Sequence, residues 1–355
     1  MANDKNDLSR RDVLRGLGAG AFGLMVGANV LTPKKSFAAA GSPLVAKGRL
    51  FEKPAPAAKV ALIKGNDRRE ITYQALKKIE DQILPSIGDK KILIKPNFVV
   101  TTRQLAATHV DAVRGILDFL KPHHKKQILI GESTISRQGT FHGFENYGYL
   151  PLQKEYGVKL LDLNKQSWQY RYVFGPGHRP TRIRIISTFL DPDLYIISAA
   201  KMKTHDRIVT TLSLKNVLLG SPMNDYKKND KWLMHAEYTF QRKSLLHYNM
   251  FHLAQQIYPD LGVIDGFEAM EGNGPTGGTP VDARVALASR DPLAMDILTT
   301  KIMGFDPRQI MYFRAFAEAG MGQGELDKIE VLGTPPEQCR HDFRIHDKLA
   351  EAYGA

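Results

Sequence analysis

The sequence predicts an α/β fold: a mostly parallel sheet with helices on both faces and an inserted antiparallel hairpin. Three observations predict it. From Val60 onward, short runs rich in branched residues alternate with amphipathic helical patterns, which implies parallel strands joined by right-handed crossovers. The rhythm breaks where two consecutive strand-like runs flank Gly175-Pro176-Gly177, the pattern of a hairpin. The chain is 43% hydrophobic and has Cys339 as its sole cysteine, so the fold must rest on an apolar core without an internal disulfide.

The elements follow in order. Val60 to Lys64 and Ile92 to Lys95 read as strands around a helix from Tyr73 to Leu84, and a helix from His109 to Leu120 leads to a strand from Gln127 to Gly131. A helix from Phe144 to Tyr156 precedes a strand from Lys159 to Leu163. The hairpin pairs Tyr170 to Phe174 with Arg182 to Ser187, and Asp193 to Ala200 reads as a buried strand. After a polar loop from Asn224 to Lys231, a helix from Ser244 to Tyr258 leads into the strand Leu261 to Asp265. The strand Arg284 to Ala288, helices Pro292 to Met303 and Pro307 to Ala319, and the strand Ile329 to Leu332 complete the body. Asp291 before Pro292 reads as a helix cap.

The first forty residues are a targeting segment. Ser9-Arg10-Arg11-Asp12-Val13-Leu14, a glycine-diluted apolar stretch from Gly16 to Leu31, and Ala38-Ala39-Ala40 as a small-residue cleavage site form a twin-arginine signal. The expected organisation is therefore a signal peptide over 1–40, a flexible Pro/Ala/Gly-rich leader over 41–58, an α/β domain over 59–335, as one body or two joined lobes, and a tail over 336–355. The twin-arginine translocase is the expected export partner and the periplasm the expected location. The apolar stretch is shorter than the roughly 20 residues a spanning helix needs, so no stable membrane span is expected after cleavage.

Removing residues 1–40 leaves a net charge of about +9 from the full chain's +12. That balance favours anionic small molecules. Nucleic acid is not expected as a partner, because no basic tract carries interleaved aromatics.

In parallel sheets ligands bind beyond the carboxyl ends of the strands, so polar residues there are the candidate site. Lys95-Pro96-Asn97 follows one strand, where proline ends the ladder and turns Lys95 and Asn97 into a loop. Lys201, Lys203, Thr204 and His205 follow the buried strand ending at Ala200, with Thr210, Thr211, Ser213, Lys215 and Asn216 soon after. Cations and hydroxyl or amide donors of this kind suit an anionic ligand, and alternation places Lys201, Lys203 and His205 on one side. The segment from Asp265 to Gly278 holds three carboxylates in a glycine-rich loop, so Asp265 and Glu271 are candidate ligands for a divalent metal or partners for the lysines. Gly131-Glu132-Ser133 offers a carboxylate for acid–base work or for capping the next turn. A nucleophile elbow, a Walker loop and a dinucleotide fingerprint are missing.

Together, Lys95-Pro96-Asn97, Gly131-Glu132-Ser133, Lys201-Met202-Lys203-Thr204-His205, Ser213-Leu214-Lys215-Asn216 with Gly220, and Met270-Glu271-Gly272-Asn273-Gly274-Pro275 resemble the domain-of-unknown-function family 362, over roughly residues 59 to 305. Some relatives in that family carry ferredoxin-like iron–sulfur segments, a property that a single cysteine does not let this chain inherit. His205 with Ser213 and Lys215-Asn216 is also similar, over a short stretch, to the histidine, serine and lysine layout of nickel-pincer lactate racemases. That likeness implies a proton-moving His205 and a Lys215 that binds a cofactor or carboxylate.

The resulting expectation is an exported enzyme acting on a small anionic substrate. His205 and Lys215 are its catalytic candidates, Lys95, Asn97, Lys201, Lys203, Thr204, Ser213 and Asn216 bind substrate, and Asp265 and Glu271 hold a metal. The alternatives are a binding protein that uses the same cleft for an anionic ligand or redox partner without turnover, or an accessory factor for another exported protein.

Overall fold

The computed structural model describes residues 44–46, 49–51, 56–235 and 245–353. The twin-arginine segment over 1–40 lies outside them. The described residues form strands β1 (Leu44–Ala46), β2 (Arg49–Phe51) and β3 (Ala58–Lys64), helices α1 (Arg68–Lys77) and α2 (Glu80–Ile87), strand β4 (Lys91–Lys95), helix α3 (Val110–Leu120) and strand β5 (Leu129–Glu132). Helices α4 (Thr140–Asn146) and α5 (Leu152–Tyr156) precede β6 (Lys159–Asp162), β7 (Trp168–Phe174), β8 (Pro180–Ile186), β9 (Leu194–His205) and β10 (Val209–Thr211). Then come α6 (Ser213–Leu218), α7 (Leu245–Ala254), β11 (Leu261–Glu271), β12 (Thr279–Val281), β13 (Val285–Ser289), α8 (Pro292–Ile302), α9 (Met311–Glu318), β14 (Ile329–Gly333) and α10 (Asp347–Tyr353).

The main sheet runs β14-β3-β13-β11-β9-β4-β5-β6, with β10 paired to β9 and β12 to β11. Along that path only β13 is reversed; it pairs antiparallel with both β11 and β3, while the remaining neighbours are parallel. Strands β7 and β8 form the separate antiparallel hairpin around Gly175–Gly177. This is an α/β fold with a mostly parallel sheet.

Side chains alternate across the strands, so each strand feeds two apolar layers. Ile92, Ile94, Tyr195, Ile197 and Val263 pack with α1 to α3 on one face. Leu93, Ile196, Ala200, Met202 and Ile264 pack with the hairpin and with α6 to α9 on the other. Truncating any such buried Leu or Ile to Ala costs about 2–5 kcal/mol.

Several elements differ from the expected ones for identifiable reasons. The helix predicted over 144–156 is two, because Gly148 adopts φ 74° and Pro151 opens the second. Strand β9 continues five residues past Ala200, because antiparallel β10 supplies ladder partners for Lys203 to His205. Strand β11 likewise reaches Glu271, where β12 pairs with Ala269 to Glu271. Within 41–58, read from sequence as a leader, β1 pairs with β2 and Phe51 packs edge-on against Tyr258 at 5.0 Å. The segment 336–353 also joins the body, with Cys339 and Leu349 fully buried. Asp291 caps α8 as expected, its carboxylate accepting from the Ala294 N–H and Pro292 following.

Candidate functional site: a cationic cleft

Strands β9, β4 and β5 are neighbours in the sheet. Their carboxyl ends therefore bring the segments after Lys95, Glu132 and His205 together, although more than a hundred residues separate the first from the last. Helix α6, the short 3-10 turn Asp230–Met234 and the Pro275–Thr276 segment add to the walls. They enclose a cleft of about 330 Å3.

The floor is a pinned network. The Lys95 ammonium donates to both oxygens of Glu132, at 3.0 and 2.9 Å, to Asn216 Oδ1 at 2.9 Å and to the Pro96 carbonyl at 2.9 Å. Glu132 also accepts the Phe98 and Ser133 N–H groups. The Asn216 amide donates to the Lys95 carbonyl and to Ser198 Oγ, which fixes α6 against β4 and β9. Asn97 Nδ2 donates to Asn216 Oδ1 at 3.1 Å. Gly220 is required for close approach: a Cβ there would stand 2.6 Å from the Asn216 carbonyl oxygen and run into the Lys95 side chain. Burial lowers the Lys95 pKa more than Glu132 restores it.

The chemistry-bearing groups line the cleft above. Lys203 is buried and donates to the Ala106 carbonyl at 2.6 Å and the Pro275 carbonyl at 3.2 Å; burial, then Lys215, push its pKa well down. His205 ends β9, and the turn beyond it closes with Val209 at φ 68°, a strained conformation for a β-branched residue. That turn sets the Arg207 N–H 3.2 Å and an Asp206 carboxylate oxygen 3.1 Å from His205 Nδ1. Among the described residues Nε2 of His205 has no hydrogen bond. Burial, followed by Lys215 and His235, holds the ring neutral, its pKa well below the ordinary histidine value.

Lys215 extends from α6 into the cleft, and among the described residues its ammonium has neither a hydrogen bond nor an ion pair. Burial brings its pKa down to about 8, opposed by Asp206 and assisted by Lys95 and Arg207. Lys231 is tied down by Ser133 Oγ and the carbonyls of Leu219, Gly220 and Pro222, and burial brings it to about 7. His235 stacks on His205 with ring centroids 6.5 Å apart, and burial followed by Lys215 lowers it to about 3.

Among the described lining residues, Lys95, Lys203, Arg207, Lys215 and Lys231 face two carboxylates, Glu132 and Asp206. Glu132 already belongs to Lys95. Among the described residues Lys215 carries no partner of its own in this partly dehydrated setting, where an anion gains more than it would in water. A neutral imidazole whose Nδ1–H is turned to Asp206 presents a basic Nε2 that can take a proton and return it.

The other predicted residues lie elsewhere. Lys201 turns to Asp265, with the ammonium 3.5 Å from the carboxylate. Arg68 Nε is 3.2 Å from the same carboxylate, and the His109 N–H donates to it. Burial alone would raise the Asp265 pKa; Lys201, Arg68 and that N–H more than reverse the effect. Thr204 faces away from the cleft and donates to the Gly272 carbonyl at 2.8 Å. The Ser213 hydroxyl is buried without a hydrogen-bond partner among the described residues, while its backbone N–H donates to Asp296. Glu271 accepts from the Arg344 N–H at 2.9 Å. Asp265 is thus neutralised between two cations, and Glu271 is held by a backbone donor near the edge strand β12. The two carboxylates do not form one ligand set, and among the described residues no group of three His, Cys, Asp or Glu side chains is arranged to hold a metal ion.

Lys231, Trp232 and His235 were not singled out from sequence. Their segment reads as a polar loop, and what folds it over the cleft is distant: Arg184 on β8 donates to Asp230 through its backbone N–H at 2.8 Å and its Nε at 2.9 Å, and its guanidinium also reaches Asp225 and the Lys228 carbonyl. The available signal was a tryptophan one residue and a histidine four residues after a lysine. Asp296 was also unmarked; it sits within the apolar helix α8 and caps α6 by accepting from the Ser213 and Leu214 N–H groups, both at 2.9 Å.

Comparison with known proteins adds family and relatives. The family described as Domain of unknown function (DUF362) matches residues 92–301, more than half of the chain. A protein of Synechocystis named as thylakoid-associated is 26% identical over 265 residues, covering 74% of this chain and 78% of that protein. A crystal structure of a Thermotoga maritima protein is similar at a TM-score of 0.39 and 11% identity, over 73% of this chain; the chain spans 60% of that structure's length. No described helix is long and apolar enough to cross a membrane.

Proposed function

The chain belongs to the DUF362 family, and from that premise and the charge of the cleft we propose that it is an enzyme acting on a small organic anion. The observation that carries the proposal is the Lys215 side chain, which has no hydrogen-bond or ion-pair partner among the described residues and shares a cleft with Lys95, Lys203 and Lys231. Lys215 and Lys203 would hold the anionic group, with Asn97 orienting it and Lys95, Glu132 and Asn216 keeping the floor rigid. His205, neutral and with Nε2 free, would take a proton from the bound molecule and return it. The twin-arginine signal expected over 1–40 supports action outside the cytoplasm after export in the folded state.

Thermal unfolding of the purified chain against a panel of carboxylates and organic phosphates tests the binding step. A ligand well above its Kd should raise Tm by about 3–5 °C, and Lys215→Met should abolish the rise. The best ligand is then incubated in D2O and followed by proton NMR. Enzyme-dependent deuterium incorporation or conversion that is lost in His205→Gln, with binding retained, supports an enzyme. Binding with no turnover favours the non-catalytic binding protein, and no stabilisation by any anion rejects the cleft as a site.

A further inference from the structure

Charge is half of what the cleft offers. Val99, Ile135, Leu219 and Pro275 line it beside the lysines, and Trp232 stands at it with half of its surface exposed. That half of the indole is open to a molecule entering the cleft. Its ring is 5.8 Å from that of His235, which in turn stacks on His205, so three flat rings follow one another toward the cationic floor. Both imidazoles are neutral, which makes them stacking surfaces and not competing cations. The volume, about 330 Å3, lies in the range of sites for small organic molecules and is far more than a bare inorganic anion fills.

We infer that the ligand is an organic anion with a planar, apolar body, its charged group on Lys215 and Lys203 and its flat body against Trp232 and the neighbouring apolar wall. The inference rests on the anion reading above and adds the class of molecule. Trp232 then sets specificity: it distinguishes an aromatic acid or aryl phosphate from acetate or inorganic phosphate bearing the same headgroup. The selectivity comes from apolar and stacking contacts that the small anions cannot make.

The chain has two tryptophans, Trp168 and Trp232, so Trp168→Phe leaves one reporter in the cleft. The full chain carrying that substitution is titrated with phenyl phosphate, benzoate, inorganic phosphate, acetate and phenol while emission is followed. The expected result is saturable quenching by phenyl phosphate or benzoate with Kd at least about tenfold below that of inorganic phosphate or acetate. Calorimetry on Trp232→Ala should shrink that ratio to less than about threefold. Because Trp232 is half exposed, this variant keeps the fold, and Trp232→Phe should restore most of the ratio.

Equal affinity for aromatic and inorganic anions overturns the planar-body inference and leaves the anion reading standing. So does an aromatic preference that survives Trp232→Ala, since it moves selectivity off this residue. Phenol binding as tightly as phenyl phosphate, or no binding by any probe, overturns both.

Discussion

The ammonium of Lys95 lies 2.9 and 3.0 Å from the two oxygens of Glu132, and neither side chain is more than 3% exposed. A pair this dehydrated is costly to break, because the survivor keeps its charge without water. Glu132→Ala should destabilise the chain by about 3–5 kcal/mol in urea unfolding at pH 7, whereas Lys95→Met combined with Glu132→Leu should cost much less. Equal losses in the single and double variants would contradict the pairing.

Anion affinity should depend on pH through Lys215. Its pKa of about 8 reflects burial, and the charged form is the one that holds an anion. Affinity should therefore fall as pH rises through 8. At pH 8, binding should take up about half a proton, visible as a calorimetric heat that changes with the buffer's ionisation enthalpy. Lys215→Met should remove most of the uptake at pH 8 and of the fall in affinity there.

Two buried groups should tilt stability in opposite directions. Burial lowers the His247 pKa to about 3, so folding expels its proton; that contribution is present above pH 6.5 and is lost as pH falls, by about 2 kcal/mol between 6.5 and 5. Burial raises the Asp296 pKa to about 8 despite two N–H donors, so its contribution is present below pH 4 and is lost as pH rises, by about 2 kcal/mol from 5 to 6.5. Urea midpoints at pH 5 and 6.5 should shift toward acid stability in His247→Phe, which keeps the stack on Tyr312, and toward alkaline stability in Asp296→Asn. Variants with the slope of the parent chain would contradict both assignments.

The loop over the cleft should depend on Arg184. Replacing it with Ala leaves buried Asp230 without its main donor and frees the turn that carries Lys231 and Trp232. Hydrogen exchange across 224–235 should quicken by about tenfold or more, and anion affinity should drop by about tenfold, with Tm falling only a few degrees. Unchanged exchange would contradict the clasp.

The layered fold was legible because its signals are local. Ile92, Leu93 and Ile94 are uniformly apolar, as a strand covered on both faces must be, and Asp291-Pro292 announces α8. The strand was expected to end at Ala200 because the polar residues that follow hide its continuation; β10 returning alongside carries it to His205. The same distance effect divides the predicted site. Alternation correctly set Lys201, Lys203 and His205 in one row, but nothing local indicates that Asp265 and Arg68 meet the first while the cleft takes the other two. Lys231 and His235 were invisible for the converse reason, since their position depends on Arg184 some fifty residues earlier.

An organic anion should bind in this cleft through Lys215. Calorimetric titration of phenyl phosphate into the parent chain and Lys215→Met at pH 7 tests it most directly. The account predicts one-to-one binding to the parent and at least about tenfold weaker binding to the variant; no binding to the parent, or equal affinity in both, would contradict it.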